Sequence, residues 1–273
     1  MASESTATRV FLWAAPRCMS TAFMRSINTL DESVVLFENF TAAYLFGPEG
    51  NEKALFSPAR MYTYDYVKAL LQQEIPDKEV IFAKDFPFAL KGKFEKIPDG
   101  YVHTFLIRDP TKVFMSLRDQ YNTWFKRFYY GKEIQTYQPV SHKYFEELWK
   151  LYAHIKDDLK KPTLIIDVDD FLQDPEGMMK IYCQSTGISF RKSMLSWEPC
   201  GIWNVDWKCS AFLKYCGWWN GWYRNALNSN GFGNFNNRRK STLDVAMLPP
   251  DIRKVVEISE PYYKLLYDER LTN

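Results

Sequence analysis

The chain has 273 residues, 46% of them hydrophobic and 25% charged, with 35 basic against 33 acidic side chains and a formal net charge of +2. That composition reads as one folded domain over residues 1–273, and so even a charge balance gives no ground for a nucleic-acid or membrane-surface partner. Five cysteines (Cys18, Cys183, Cys200, Cys209 and Cys216) without CxxC spacing, beside only three histidines, speak against a zinc site or a disulfide framework.

Free thiols imply a reducing compartment, and the polar N-terminus "MASESTATR" is followed by an apolar run too short for a signal peptide or membrane span. A soluble, cytoplasmic protein is the expectation. In chain order, "VFLWA" (10–14), "VVLF" (34–37), "VIFA" (80–83), "VHTFLI" (102–107) and "TLIIDV" (163–168) predict strands. They are continuous apolar runs rather than alternating ones, as strands buried on both faces require. Helical patterns lie between them at 21–29, 61–74, 111–126 and 141–159. Val113, Leu117, Tyr121 and Trp124 form one stripe, and Phe145, Leu148, Trp149, Tyr152 and Ile155 another. "DPEGMMKIYCQSTG" opens on Asp174 and Pro175 and closes on Gly187, in helix-start and helix-stop order. This alternation predicts an α/β fold with a mostly parallel central sheet flanked by helices. From about 196 to 240 no period persists, and six of the nine tryptophans gather there. That stretch is expected to be loops and short helices over one end of the sheet. A last helix, "PPDIRKVVEISE", is expected to kink or stop at Pro261.

"APRCMSTA" (15–22) leaves the first strand, turns on Pro16, exposes Arg17 and enters a helix at Ser20 and Thr21. A turn of this kind aims backbone N–H groups and the helix dipole at one point, where an anion is favoured. An ordinary βα turn with a helix cap explains the same residues. A nucleotide triphosphatase would show GxxxxGK[ST], but Met19 and Ser20 stand where that motif has Gly and Lys. Cys18, at the helix start beside Arg17, is expected to have a lowered thiol pKa.

"FLIRDPTKVFMS" repeats the design. Arg108 ends a strand, Asp109 and Pro110 begin a helix, and Ser116 follows in its second turn. Carboxyl ends of parallel strands face the ligand crevice, so Arg108 and Ser116 are candidates for a second anion site, separate from the one at Arg17. Alternatively Arg108 pairs with a carboxylate and Ser116 is a surface residue. Two anion sites on one sheet edge predict a ligand carrying phosphates at both ends.

"PRCMSTA" resembles the 5′-phosphosulfate loop of the sulfotransferases, and "RDPTKVFMS" is similar to their 3′-phosphate motif. The similarity runs diffusely over 9–190, and "FENF" and "LSWEP" resemble a divergent branch labelled sulfotransferase-like or aminotransferase-like. The aminotransferase label has no supporting pyridoxal-phosphate lysine context here. The resemblance implies a P-loop-like sulfotransferase architecture that uses 3′-phosphoadenosine 5′-phosphosulfate (PAPS) and releases 3′-phosphoadenosine 5′-phosphate (PAP). By this resemblance Arg17, Cys18, Met19, Ser20, Thr21 and Ala22 hold the 5′-phosphosulfate, and Arg108 and Ser116 the 3′-phosphate. Ser229, Gly231 and Arg238 are further candidates for the 3′-phosphate. The sequence departs from the family at Met19, usually glycine, and at Ala22, often an aromatic that stacks on adenine.

Sulfuryl transfer needs cations at the leaving oxygen and a base at the acceptor. Fixed Arg and Lys charges can serve, so no metal is required. Lys84, in "AKDFP", resembles the family's lysine, but Phe86 stands where the cytosolic branch has its catalytic histidine. Glu38, ending the second strand, is favoured as base over Asp85; His103, His142 and His154 are read as structural. Asp167, Asp169 and Asp170 suggest a strand end and a turn rather than a metal site. The tryptophan-rich segment is expected to form an acceptor pocket or lid, or else to pack loops onto the sheet.

The expectation is therefore a PAPS-dependent sulfotransferase acting by in-line transfer on a hydroxyl or amine of a small apolar or aromatic acceptor. Lys84, Glu38 and Arg17 would carry the chemistry. A nucleotide-binding relative without turnover and a P-loop-type kinase are the alternatives, and a homodimer is left open.

Overall fold

The computed structural model describes residues 7–50, 59–128, 143–236 and 247–272. Six strands, β1 (Thr8–Ala14), β2 (Ser33–Phe37), β3 (Val80–Asp85), β4 (Val102–Ile107), β5 (Thr163–Asp167) and β6 (Trp207–Lys208), form one sheet in the order β5-β4-β1-β3-β2-β6. Every pairing is parallel. The continuous apolar runs behave as expected of strands covered on both faces: Val10 to Ala14 and Ile81 to Ala83 are at most 1% exposed.

The helices are α1 (Ser20–Ile27), α2 (Asn39–Phe46), α3 (Tyr64–Gln72), α4 (Pro110–Phe128), α5 (Tyr144–Ala153), α6 (Val168–Phe171), α7 (Pro175–Thr186), α8 (Ala211–Asn220), α9 (Arg224–Leu227), α10 (Gly233–Asn236) and α11 (Pro250–Asp268). One π-helical turn, His154–Asp158, prolongs α5. The caps of α7 are those read from the sequence. Asp174 accepts from the Gly177 N–H, and Gly187 takes the left-handed C-cap conformation at φ 80.

Three features differ from the sequence reading. The helix α2 follows β2 with no loop, because Asp85 at the end of β3 accepts from the N–H groups of Phe40 and Thr41 at its N-terminus. The cap comes from another strand, so no local signal marks it. Within 196–240, Trp207 and Lys208 add a sixth strand beside Val35 and Leu36. Finally, α11 is not interrupted at Pro261. Ile252, Val255 and Val256 before the proline and Leu266 after it are all buried, and this packing holds the helix together across the missing N–H.

The strand order fixes the crevice. The chain lays down β1, β2 and β3 on one side, then crosses to place β4 on the other side of β1. Loops leaving β1 and β4 therefore diverge at a switch point, where open α/β sheets bind ligands. Among the described residues no helix is long and apolar enough to cross a membrane. Trp124 (its side chain), His142, Arg238 and the start of the 141–159 helical pattern lie outside the described residues.

Candidate functional site

Four neighbouring strands deliver the candidate residues to one edge. Arg108 follows β4, Arg17 follows β1, Lys84 lies near the end of β3 and Glu38 follows β2. The loop after β1 is tightly wound, with Arg17 at φ 65 and Met19 at φ 58. Met19 holds the left-handed N-cap position of α1, the conformation for which glycine is the easiest residue. Glu38, at φ 47, plays the same part at the start of α2. Left-handed non-glycine residues cost free energy and concentrate at functional sites.

A polar cavity of about 480 Å³ lies over these loops. Arg17, Met19, Ser20, Thr21 and Ala22 line it from the first loop, and Arg108, Lys112 and Ser116 from the second. Both motifs are walls of one cavity, on the one sheet edge that the sequence suggested. Arg17 Nε donates to Ser116 Oγ at 3.1 Å, and Arg108 Nη1 donates to the Arg17 carbonyl at 3.4 Å. Arg17 also donates to the Trp222 carbonyl at 3.2 Å. Arg108 Nε is buried without a hydrogen-bond partner, and the nearest carboxylate oxygen on Asp169 is 4.0 Å away. A buried guanidinium donor left over in a cavity that also exposes Lys112 fits an anionic ligand.

Some expected residues do not reach this cavity. The Cys18 side chain is wholly buried in the core, and burial pushes its thiol well above the ordinary value, reversing the lowered pKa expected beside Arg17. Ser229 is buried, accepts from Trp197 Nε1 at 3.1 Å and donates to the Ala226 carbonyl at 2.8 Å. Gly231, at φ 154, bridges to Ser196, where a side chain would press on the Leu195 carbonyl. Ser229 and Gly231 therefore hold loops together, and neither lines the cavity; Asn225, Ala226 and Phe235 do.

Lys84 lies at the carboxyl end of β3, as the sequence suggested, but its side chain turns to Glu38. It is not among the residues lining this cavity, and its ammonium lies 2.5 Å from Glu38 Oε1 and 3.2 Å from the centre of the Phe86 ring. Lys84 and Glu38 side chains are 0% and 2% exposed. Burial lowers the Lys84 pKa, opposed by the Glu38 carboxylate. In this arrangement Lys84 contacts Glu38, while among the described residues the cations that face the cavity are Arg17, Arg108 and Lys112.

Asp85, the competing base, is taken up as the cap of α2. Its carboxylate accepts from Thr41 Oγ1 at 2.6 Å and from the Phe86 N–H at 2.9 Å, and it lines neither cavity. Burial raises its pKa to about 7 against those donors. His103 accepts from Trp13 Nε1 at 3.1 Å inside the core, where burial lowers its pKa to about 3 and keeps it neutral. His154 pairs with Asp158. Asp167 accepts from the N–H groups of Asp169 and Asp170 at the start of α6, Asp169 binds Lys112 and Asp170 binds Arg270. Among the described residues no group of three His, Cys, Asp or Glu side chains could hold a metal.

A second, apolar cavity of about 450 Å³ adjoins the first. Phe46, Phe88, Tyr144, Leu213 and Trp219 are among its walls, and among the described residues Glu38 is its one carboxylate, with no Lys, Arg or His. Four residues line both cavities: Glu38, Phe86, Trp222 and Tyr223. The tryptophan-rich segment thus divides its work. Trp219 and Trp222 face cavities, whereas Trp197 and Trp207 are buried in packing. Sequence reasoning missed Lys112 and Tyr223. Lys112 had a signal, being a cation on the first turn after Arg108. Tyr223 had none beyond its place in the aromatic segment.

Comparison with known proteins follows the same line. A sulfotransferase domain model matches residues 151–238, a span that contains neither of the two candidate anion loops. The sulfotransferase domain from the curacin biosynthetic pathway superimposes with a TM-score of 0.52 at 12% identity, covering 94% of this chain and 99% of that one. The fold is that of a sulfotransferase. Two curated relatives, both from Arabidopsis thaliana, are branched-chain-amino-acid aminotransferase-like protein 2 (26% identical over 209 residues, 72% of this chain) and protein 1 (24% over 229 residues, 81% of this chain). This sulfotransferase-like chain aligns with 34% and 36% of their lengths, so it spans about a third of the curated relatives it matches.

Proposed function

We propose that the chain is a sulfotransferase that moves the sulfuryl group of PAPS to the hydroxyl of an uncharged, apolar or aromatic small molecule. The observation that carries this reading is Glu38, a carboxylate at the seam between a cation-lined polar cavity and a charge-poor apolar one. Arg17, Ser20 and Thr21 would hold the 5′ end of the donor, and Arg108, Ser116 and Lys112 its 3′-phosphate. The donor, when bound, supplies a sulfuryl group activated by its bond to phosphate. Glu38 would take the proton of the acceptor hydroxyl as the new sulfur–oxygen bond forms, and Arg17 would hold the charge that returns to the phosphate oxygen. PAP and the sulfate ester are then the products.

The walls of the apolar cavity support the acceptor class. Among the described residues those walls carry one carboxylate and no Lys, Arg or His, so nothing there would pair with a charged anionic acceptor, whereas an uncharged one meets mainly apolar surface. We assign 196–240 to the acceptor wall of a single sulfotransferase-like domain. The reading is tested by thermal shift with PAP, AMP and ATP at equal concentration. A ligand that binds only the folded chain raises its melting temperature. PAP should give the largest rise, because only it offers phosphates to both loops, and Arg108→Ala should remove most of that advantage. Equal rises for PAP and AMP would overturn the donor assignment.

A further inference from the structure

Tyr223 stands at the seam and takes no part in the chemistry described so far. Its hydroxyl donates to Glu38 Oε2 at 2.8 Å, while Lys84 holds Oε1 of the same carboxylate at 2.5 Å. The tyrosine is 6% exposed and lines both cavities. Its ring is fixed edge-on against Phe37 at 5.0 Å and Trp207 at 6.2 Å between centroids. Phe37 immediately precedes Glu38, and Trp207 pairs in register with Val35, so both supports belong to the β2 edge that carries the carboxylate. On its other side the ring lies against α8 at Gly217, where an added Cβ would overlap Tyr223 Cε2. Glycine at 217 is therefore what lets the ring come close enough for its hydroxyl to reach Glu38.

We infer that Tyr223 is a positioning residue for Glu38, presenting a fixed O–H donor that orients the carboxylate, and that Gly217 exists to admit it. The inference rests on the proposed role of Glu38 as base, but the hydrogen bond and its consequence exist without any ligand. Burial and the neighbouring carboxylate both push the Tyr223 phenol well above its ordinary value, so it stays protonated and remains a donor. The other titratable groups acting at this point are Lys84 and Asp85 from β3 and Cys209 beside β6. With Lys84 on one oxygen and Tyr223 on the other, the carboxylate has one fixed orientation, and its remaining lone pairs are left for an acceptor hydroxyl.

The test begins on the ligand-free protein. The carboxyl carbon of Glu38 is followed by NMR through a pH titration, its resonance assigned by its loss in Glu38→Gln. Tyr223→Phe keeps the ring and removes the donor, and should move the Glu38 midpoint upward, since a donor to the charged form lowers a carboxylate pKa. Gly217→Ala keeps the hydroxyl but displaces the ring, and should shift the midpoint the same way. An unchanged midpoint in both variants overturns the inference. With PAPS and 2-naphthol, Tyr223→Phe should lower kcat about tenfold and move the acid limb of the rate profile upward, with KM for PAPS within about twofold of the parent. A kcat loss with an unmoved acid limb would also overturn it. Absence of turnover in the parent protein would defeat the proposed sulfuryl transfer instead, while the ligand-free titration would still decide the role of Tyr223.

Discussion

Lys84 and Glu38 are both enclosed, and among the described residues neither has a second opposite charge in hydrogen-bond contact. Removing one strands the other, which typically costs about 3–5 kcal/mol because an uncompensated charge stays buried. Lys84→Met should therefore lower the urea-unfolding free energy by about that much. The double variant Lys84→Met/Glu38→Gln should recover at least about half of the loss, because no charge is left alone. Losses that simply add would show that the pair is not coupled. Both residues were visible in the sequence as polar groups ending apolar strands. Their contact was not, since it joins positions 46 residues apart across two neighbouring strands. Cys18 shows the opposite limit. Its neighbours in the chain suggested an activated thiol, but the tight turn at Arg17 and Met19 points its side chain into the core, where burial dominates.

At the scale of elements, the five long strands were legible because burial on both faces writes a continuous apolar run. Elements held by distant partners were not. The helix α2 depends on the Asp85 carboxylate from β3, and β6 is two residues long, too short to show a period. Pro261 was legible as a residue but not in its effect. It is exposed in the middle of α11, and the helix runs on to Asp268 because both of its halves are packed. The proline still lacks its N–H, and interior prolines cost about 3 kcal/mol relative to alanine in isolated helices. Pro261→Ala should raise stability by about 1–3 kcal/mol, read as a higher urea midpoint at constant m-value. A lower midpoint would mean that the proline ring itself makes the packing that keeps the helix whole.

Across the whole molecule, the strand order does what no single motif could. It sets β1 beside β4 and β3 beside β2, so residues 17, 38, 84 and 108 meet along one edge. The sequence offered two candidate anion loops on one sheet edge and an aromatic segment, but not that the aromatic segment closes a second cavity against the one those loops line. The shared wall of Glu38, Phe86, Trp222 and Tyr223 is a tertiary fact, assembled from β2, β3 and the turn after α8. The central claim is that a base stands at that wall between donor and acceptor. Its most direct test is transfer of radiolabelled sulfur from PAPS to 2-naphthol, comparing the parent chain with Glu38→Gln at matched folded concentration. The account predicts labelled ester from the parent and a rate at least about a hundredfold lower from Glu38→Gln. Equal rates from the two proteins would contradict it.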